Sequence, residues 1–251
     1  MTALLTIDGA TRRFGGLTAV DNVSTTVAKG ELVGVIGPNG AGKTTLFNLI
    51  SGFTPLSSGA VHFKGRRIDG LKPFRIARLG IARTFQNLRI FPNMSVFDNV
   101  SVGAAGMLGV SAAEAVFGGR ARSEAISRRA WAALEQVGLQ DLAGELAANI
   151  SYGRRKYLEI ARALAMEPEL IILDEPAAGL NDTETRELAA FIQRLHGAGM
   201  TVLLVEHDMG LVMGICQRVV VLASGRKIAD APPEVVRKDP AVLEAYLGVE
   251  E

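Results

Sequence analysis

Residues 31–45 have the sequence ELVGVIGPNGAGKTT, and this segment determines the fold class. Residues 31–36 are a short apolar, β-branched run, which predicts a buried strand. Residues 37–44 match the pattern G-x-x-x-x-G-K-[ST], and a helix is predicted from about Lys43. That pattern is informative when strand, glycine-rich loop and helix follow one another, as they do here. The segment therefore predicts a loop that binds the phosphates of a nucleoside triphosphate.

The residue types in this loop suit phosphate binding. Glycines let consecutive backbone N–H groups approach phosphate oxygens, and the following helix adds the positive end of its dipole. Lys43 would bring a full charge to the β- and γ-phosphates, and the Thr44 hydroxyl is a predicted Mg²⁺ ligand. The predicted nucleotide-binding residues of this loop are Gly37, Pro38, Asn39, Gly40, Ala41, Gly42, Lys43, Thr44 and Thr45. The pattern specifies neither the base nor the reaction.

Two further apolar runs, at 170–173 and 201–205, end in polar residues. Asp174 and Glu175 follow the first run, and Glu206-His207-Asp208 follows the second. Short apolar runs that alternate with helices predict a buried, mostly parallel sheet, whose ligands bind at the carboxyl ends of the strands. Asp174 is predicted to orient Mg²⁺ through a bound water, and Glu175 to act as the general base on the attacking water. An isolated Asp-Glu pair is usually a solvated turn, so this assignment depends on the glycine loop.

The remaining segments complete an α/β fold of the P-loop type. Residues 4–27 alternate between apolar and polar and predict antiparallel strands packed on one edge. Alanine, arginine and glutamate dominate 88–165, where 123–137 and 154–166 have helical spacing, so an inserted helical subdomain is predicted there. We divide the chain into a nucleotide-binding core (1–87 and 166–251) and this insertion. The Gly- and Ala-rich stretch 103–119 is either a loop or a weak helix.

Composition excludes several classes of protein. The 251 residues carry 27 basic and 26 acidic side chains, a net charge of +1, which gives no overall electrostatic footprint for nucleic acid. The one cysteine, Cys216, has apolar neighbours and is predicted to be a buried thiol. No signal peptide is evident, and no apolar stretch reaches the ~20 residues that span a bilayer. We therefore expect a soluble chain whose membrane role comes through a partner.

Five further features occur in an order that resembles the ABC ATPases over essentially the whole chain. Phe14 matches the aromatic residue that stacks on adenine, Gln86 the glutamine that senses Mg²⁺ and the γ-phosphate, and His207 the switch histidine. Ser151-Tyr152-Gly153 and Arg154 stand at the signature that contacts nucleotide, and 177–181 at the D-loop. The resemblance implies ATP and Mg²⁺ as cofactors. It implies catalytic roles for Glu175, His207, Gln86 and Lys43, and metal contacts for Thr44, Gln86 and Asp174.

The resemblance narrows to the ATPases of branched-chain amino-acid importers, and among them to the longer of two paralogous subunits. The segments that carry it are 14–21 (FGGLTAVD), 82–87 (ARTFQN), 174–181 (DEPAAGLN), 206–209 (EHDM) and 245–248 (AYLG), together with the helical insertion at 102–129. The implied partners are a second ATP-binding subunit, either a paralogue or a second copy, in a head-to-tail dimer, then membrane permeases and, indirectly, a solute-binding protein. Nucleic acid is not among them. The implied location is the cytoplasmic face of the plasma membrane.

The signature departs from the common Leu-Ser-Gly-Gly-Gln, because 150–154 here is ISYGR. Three cations, Arg154, Arg155 and Lys156, stand in the first turn of the predicted helix, where they oppose its dipole by a few tenths of a kcal/mol. This arrangement is understandable if an anion approaches that helix end. Our hypothesis is that Ser151 and Arg154 face the γ-phosphate held by the opposite subunit. The alternative for Arg154 is a solvent-facing basic turn.

Two surfaces of the insertion are candidate contacts. The apolar residues after Gln86 suggest a groove for a coupling helix of the permease, or else ordinary packing of the subdomain. They are Leu88, Ile90, Phe91, Pro92, Met94, Val96 and Phe97. The arginines of the predicted helix favour a solvated face over a lipid contact. They are Arg120, Arg122, Arg128 and Arg129.

Four alternative functions remain open. A soluble ABC ATPase that acts on nucleic acid or ribosomes would usually carry two tandem cassettes or a long coiled coil, and neither is present. Another transporter of the same branch, exporting lipid or lipopolysaccharide or importing urea or amides, would share the motifs. A non-catalytic nucleotide sensor is disfavoured by Glu175 and His207. Small GTPases and nucleotide kinases are disfavoured because the chain lacks Asn-Lys-x-Asp and because they leave the signature unexplained.

Overall fold

The structure is a computed structural model that describes residues 3–108 and 119–247. The chain divides into two compact units, one of residues 1–76 and 172–251 and the other of residues 77–171. The boundaries drawn from the sequence at 88 and 165 stay a prediction. Most of the unassigned stretch 103–119, part of the insertion at 102–129 and Gly248 of the quoted AYLG lie outside the described residues.

The larger sheet confirms the predicted parallel core. In the first unit it contains β3 (Leu32–Ile36), β7 (Leu170–Asp174, from residue 172), β8 (Thr201–Val205), β9 (Arg218–Ala223) and β10 (Arg226–Ala231), in the order β10-β9-β3-β8-β7. Strand β3 pairs in parallel with β8 and β9, whereas β9 and β10 form an antiparallel hairpin. Every residue of β3, β7 and β8 is buried, which is why their sequences are continuous apolar runs.

The predicted N-terminal antiparallel strands are also confirmed, but they belong to a sheet of their own. It consists of β1 (Ala3–Phe14), β2 (Leu17–Ala28), β4 (Ser58–Phe63) and β5 (Arg66–Arg67), in the order β2-β1-β4-β5. The sequence had not predicted β4 and β5. They are joined by Lys64 and Gly65, both with positive φ (54° and 73°), as a two-residue hairpin turn requires. Strand β5 has two residues, too few to show the alternation of apolar and polar residues that predicts a strand.

Helices follow or connect these strands along the chain, and they form most of the second unit. In chain order they are α1 (Lys43–Ile50), α2 (Pro73–Arg78), α3 (Val96–Met107), α4 (Arg120–Val137), α5 (Tyr152–Leu164), α6 (Asp182–Gly197), α7 (Met209–Ile215), α8 (Pro233–Val236) and α9 (Pro240–Leu247). The second unit comprises α3, α4 and α5, a 3-10 turn (Gln140–Leu142), β6 (Ile81–Arg83) and the first two residues of β7. The helical spacing predicted for 123–137 and 154–166 is thus confirmed. Within the described ranges, no helix combines the length and apolar character needed to cross a membrane.

The start of helix α6 is determined by capping residues in the local sequence. The Asn181 side chain accepts hydrogen bonds from the backbone of Thr183 and Glu184, and the Glu184 carboxylate accepts one from Asn181 in return. This capping box satisfies N–H groups that the first turn leaves unpaired. Basic residues in the last turn complement the other end of the dipole. The helix therefore begins at a defined residue, seven positions after Glu175.

An ion network ties β9 to its neighbours in the first unit. Arg218 Nε donates to Glu31 Oε1 at 2.7 Å, and the same guanidinium pairs with Asp230 and donates to the carbonyl of Thr26. The hydrogen bond to Glu31 is the main cause of the raised pKa of Arg218. Burial alone would raise the pKa of Asp230, but hydrogen bonds from Lys227 and Arg218 outweigh it, so the pKa lies below its usual value.

Replacing Arg218 with methionine should lower the free energy of unfolding by about 1–3 kcal/mol at pH 7, a figure discounted for partial exposure. The loss arises because Glu31 and Asp230 would be left without their shared cation. Since the pKa of Asp230 is lowered in the folded state, its contribution is present above its unfolded pKa, ~3.9, and is lost as pH falls through the folded value. The difference between wild type and variant should therefore shrink between pH 7 and pH 3. Urea unfolding at both pH values measures it.

The matched control is Arg67→Met, which removes an exposed arginine paired with Asp69 at 3.0 Å. Exposed pairs contribute little, so this variant should unfold close to wild type. Equal losses in the two variants, or a difference that grows in acid, would contradict the assignment.

Candidate functional site

The loop between β3 and α1 passes close to two other strands of the first unit. A Cβ added at Gly37 would lie 2.1 Å from the carbonyl oxygen of Leu222, and one added at Gly42 would lie 2.4 Å from that of Ala19. The φ of Gly42 is 99°, where L side chains are strained. Glycine is therefore required at both positions. The next residue, Lys43, is the first residue of α1.

Lys43 lies inside this loop. Its side chain is buried, and its ammonium donates hydrogen bonds to the carbonyl oxygens of Gly37 at 2.6 Å and Pro38 at 3.1 Å. Burial lowers the pKa of Lys43, while the nearby carboxylates of Glu175 and Asp174 act in the opposite direction. The structure thus places the predicted lysine within electrostatic reach of both predicted acids. Of the neighbouring hydroxyl residues, Thr44 is exposed and Thr45 is half-buried.

The two acids occupy a sharp turn after β7. Asp174 is buried at the end of the strand, whereas Glu175 has a positive φ of 48°, rare for a residue with a side chain. The Glu175 N–H donates to the carbonyl of Val205 at 2.9 Å, so the turn is bonded to the end of β8. The exposed ring of His207 places Nδ1 3.7 Å from Glu175 Oε2. Glu175 and His207, assigned separately from the sequence, are therefore neighbours.

Glu206 is a residue of this site that the sequence analysis did not single out. Its side chain is only 1% exposed, and Oε1 accepts a hydrogen bond from the backbone of Ala177 at 2.7 Å. Oε2 lies 3.3 Å from the backbone nitrogen of His207 and accepts from it. Burial raises the pKa of Glu206, and the hydrogen bond from Ala177 is the first of the opposing effects. The available signal was a charged residue directly after a fully apolar strand.

Phe14 lies at the end of β1 with 46% of its surface exposed. The guanidinium of Arg12 is centred 4.4 Å from the centroid of its ring, within the range of a cation–π contact. Arg12 also donates to the carbonyl of Pro55 at 3.1 Å, which holds the guanidinium in place. The structure thus provides an exposed aromatic ring that could stack on a base.

The signature segment is in the second unit. Ser151 is the N-cap of α5, and its hydroxyl accepts from the backbone of Arg154 at 3.4 Å. Ser151, Tyr152 and Arg154 are exposed, whereas Gly153 is buried. The segment presents a hydroxyl, an aromatic ring and a cation at the start of a 13-residue helix.

The three cations at the start of α5 differ in exposure and in their contacts. Arg155 donates to the carbonyls of Ile150 at 3.0 Å and Ala148 at 2.6 Å, so it closes the preceding loop. Lys156 is 3% exposed, and its ammonium lies over the Tyr152 ring. Of the three, Arg154 alone has an exposed side chain.

Gln86, also in the second unit, is exposed and lies in a loop bonded to α5. The backbone N–H groups of Phe85 and Arg89 donate to Glu159 Oε1 at 3.3 and 3.4 Å. Glu159 is 3% exposed; burial raises its pKa, and the cation of Arg162 opposes this shift. Sequence reasoning missed Glu159, although a glutamate at a buried helix position was a possible signal. The helix that carries the signature thus also holds the loop that carries Gln86.

The apolar residues after Gln86 were predicted either to form a groove for a permease helix or to pack within the subdomain. Val96 is fully buried and Phe97 packs on Trp131 with ring centroids 5.2 Å apart, so these two residues serve internal packing. Phe91 is 45% exposed and stays available for a contact.

The arginines of α4 do not form a uniformly solvated face. Arg122 donates to the carbonyl of Leu108 at 2.8 Å, and Arg129 pairs with Glu167 at 2.7 Å. Both bonds stay within the second unit. Arg120 and Arg128 are exposed, as predicted. Cys216, in the first unit, is buried as predicted, and burial raises its pKa to about 12.

Two protein families match the chain. Residues 20–178 match the family described as ABC transporter, and residues 226–251 match the one described as branched-chain amino acid ATP-binding cassette transporter. The chain is 45% identical to the high-affinity branched-chain amino acid transport ATP-binding protein LivG of Salmonella typhimurium and 43% identical to BraF of Pseudomonas aeruginosa, in each case over 98% of both chains. It is similar to the crystal structure of the ADP conformation of MJ1267, an ATP-binding cassette of an ABC transporter. That match has a TM-score of 0.86 and 31% identity over 99% of this chain and 100% of the other.

The glycine loop generates a prediction about substitutions that add one methyl group. Gly42→Ala should weaken the binding of a fluorescent ATP analogue by about tenfold or more, because backbone strain of ~1–3 kcal/mol must be relieved by moving the loop. Gly65→Ala is the matched control, since Gly65 also has positive φ but has no heavy atom within 4 Å of its added Cβ. The control should bind like wild type. Equal affinity in the two variants would show that the close approach to Ala19 does not shape the site.

Proposed function

This chain belongs to the ABC transporter family as an ATP-binding and ATP-hydrolysing subunit, and we propose that the transporter it drives imports branched-chain amino acids. The family membership and the P-loop fold inferred from the motifs are confirmed. The substrate proposal is supported by the names of the relatives that align over nearly the full chain and by the family match at 226–251. The proposed mechanism of ATP hydrolysis is derived from the positions of this chain's own residues.

A single geometric observation carries the assignment of the active site. In the sheet β3, β8 and β7 are neighbours, and each is followed at its carboxyl end by one predicted part. Those parts are the glycine loop with Lys43, the Glu206-His207 pair, and the Asp174-Glu175 turn. In open parallel sheets, ligands bind where strands end in this way. The convergence supports a site that holds a triphosphate over the loop, with its γ-phosphate near Glu175 and His207.

Hydrolysis then follows from the positions of these groups. Lys43 would exchange its bonds to the carbonyls of Gly37 and Pro38 for bonds to the β- and γ-phosphate oxygens. Glu175 would accept a proton from water as the water oxygen bonds to the γ-phosphorus and the bond from that phosphorus to the β,γ-bridging oxygen breaks. His207, 3.7 Å from Glu175, would contact the γ-phosphate and stabilise its developing charge. ADP and inorganic phosphate leave.

The oxygen groups beside Lys43 fit Mg²⁺. Asp174 is a buried carboxylate at a strand end and Thr44 is an exposed hydroxyl at the start of α1. Mg²⁺ is commonly bound by one or two such protein groups together with substrate phosphates. We assign the metal contacts to Thr44 and Asp174, with Gln86 as a further one. When bound, the ion neutralises charge on the β- and γ-phosphates.

The proposed partners are a second ATP-binding subunit, which would complete the nucleotide site, and a membrane permease. In our proposal the signature of a second ATP-binding subunit, a paralogue or another copy, covers the nucleotide on the loop of the first, so ATP joins the two head to tail. Residues 1–87 and 166–251 would form the nucleotide-binding core, and 88–165 would carry the signature and the contact with a membrane permease. Loss of the γ-phosphate removes contacts made only in the closed dimer, which then opens and moves the permease. The subunit would work at the cytoplasmic face of the membrane.

Glu175→Gln should reduce ATP turnover by about 10²–10⁴-fold because the amide cannot accept the proton of the attacking water. Affinity for ATP should be kept, since the glycine loop is unchanged. The measurement is phosphate release by the purified chain at saturating Mg-ATP. Glu187→Gln is the matched control on an exposed position of α6 and should behave like wild type. Equal turnover in the Glu175 variant and wild type would exclude Glu175 as the base.

The same variant tests the transport role. In cells that lack this chain, uptake of labelled leucine should be restored by the wild-type subunit and not by the Glu175→Gln variant. Restoration of urea, amide or lipid transport instead of leucine uptake would replace the proposed substrate class. It would leave the ATPase assignment intact.

Arg154 generates a separate prediction about the dimer. If its exposed side chain approaches the γ-phosphate held by a second subunit, Arg154→Gln should lower turnover several-fold, by about 1 kcal/mol of transition-state stabilisation. It should also weaken ATP-dependent dimerisation measured by light scattering. Arg128→Gln removes an exposed arginine from α4 and is the control. Unchanged turnover and dimerisation would favour the simple solvent-facing turn.

A further inference from the structure

The Glu206 carboxylate lies where two parts of the site meet. It directly follows β8 and precedes His207, and its side chain is almost completely buried. Buried carboxylates are rare in proteins unless hydrogen bonds compensate for the lost water. Both carboxylate oxygens of Glu206 have backbone partners, from Ala177 at 2.7 Å and from His207 at 3.3 Å. The side chain therefore joins the turn after β7 to the turn after β8.

The bond to Ala177 is important because of what precedes it. Glu175 is followed by Pro176, which has no N–H group, so Ala177 provides the first backbone donor after Glu175. On its other side, the Glu175 N–H is bonded to Val205, the residue before Glu206. The turn is thus held at both ends by consecutive residues of a single strand terminus.

This turn needs support because its backbone is strained. The φ of Glu175 is 48°, a conformation that side-chain-bearing residues adopt only where surrounding contacts enforce it. With one of the two bonds removed, the backbone at 175 would be free to relax toward negative φ. Such a change would swing the carboxylate away from His207 Nδ1, which now lies 3.7 Å from it.

We propose that Glu206 is a positioning residue that, through its hydrogen bond to Ala177, holds Glu175 and His207 in their working arrangement. The inference rests on the proposed function, because it takes Glu175 as the base. Glu206 acts through these neighbours and does not touch nucleotide. What matters is an acceptor oxygen at the right reach, and the negative charge is secondary. Burial, which raises the pKa of this carboxyl, is in keeping with a role that does not need the charge.

Three substitutions of Glu206 test whether its role requires an acceptor oxygen at this distance from the backbone or a negative charge. Glu206→Gln keeps an acceptor oxygen at the same distance from the backbone but removes the charge. Glu206→Asp keeps the charge but withdraws the acceptor by one methylene. Glu206→Leu has a similar size and no acceptor. Each variant is compared with wild type and with Glu175→Gln in the purified full chain, by turnover at saturating Mg-ATP, by affinity for a fluorescent ATP analogue and by thermal unfolding.

The expected pattern is specific. Glu206→Gln should keep turnover within about threefold of wild type, because its amide oxygen can accept from Ala177 and only the long bond from the His207 N–H, which an NH2 group cannot accept, is lost. Glu206→Asp and Glu206→Leu should lower kcat by about 10–100-fold, because small displacements of a catalytic group have effects of this size. Their affinity for the ATP analogue should match that of wild type, since Lys43 and the glycine loop are not altered. A purely structural role would instead lower the unfolding temperature and nucleotide affinity together with kcat.

Several outcomes would overturn the inference. Wild-type turnover in Glu206→Leu would do so, as would an active Asp variant beside an inactive Gln variant, which would show that charge and not reach is required. If Glu206→Leu does not fold, the Gln and Asp variants decide between these possibilities. A wild-type chain that hydrolyses ATP independently of Glu175 would refute the proposed function itself. That result is distinct from a Glu175-dependent enzyme that tolerates every change at 206.

Discussion

The close approach of the glycine loop to two carbonyl oxygens is the constraint on which the rest of the site depends. Gly37 and Gly42 lie against the backbone of Leu222 and Ala19 with no space for a side chain. Those carbonyls belong to different sheets of the first unit, so the loop lies where strands from both sheets meet. Because the loop is confined in this way, Lys43 begins α1 from one defined place. In the proposed site, the ends of β7 and β8 then locate Glu175 and His207 relative to Lys43.

Sequence reasoning predicted the parts of this site that depend on chain order. A fully buried strand must be apolar throughout, and a phosphate loop must be glycine-rich, so β3, β7, β8 and the groups after them could be located from the sequence. The separate antiparallel sheet was harder, because β5 has two residues and shows no alternation. Helices α4 and α5 of the second unit were predicted from their spacing, whereas α3 was not. Their exact ends depended on caps such as Ser151 and on the left-handed residue Gly138.

The residues that sequence reasoning missed share one physical property. Glu206 and Glu159 are buried carboxylates that accept hydrogen bonds from the backbone of loops far away in the sequence. Which backbone N–H groups need a side-chain acceptor cannot be inferred from residue types, so sequence spacing does not reveal these two glutamates. The hydrogen bonds that Arg155 donates to the carbonyls of Ile150 and Ala148 could not be predicted from the sequence either. In each unit, then, a buried glutamate accepts hydrogen bonds from the backbone beside an exposed side chain of the proposed site.

The left-handed backbone of Glu175 has a consequence for how this chain could evolve. Glycine or asparagine would fit that conformation with less strain than glutamate does, so either is expected to raise the melting temperature. Both would also remove the carboxylate. Selection for stability alone would therefore favour another residue at position 175, whereas selection for turnover would keep glutamate as the proposed base. The strained backbone torsion of Glu175 is therefore a place where stability and catalytic activity would select for different residues.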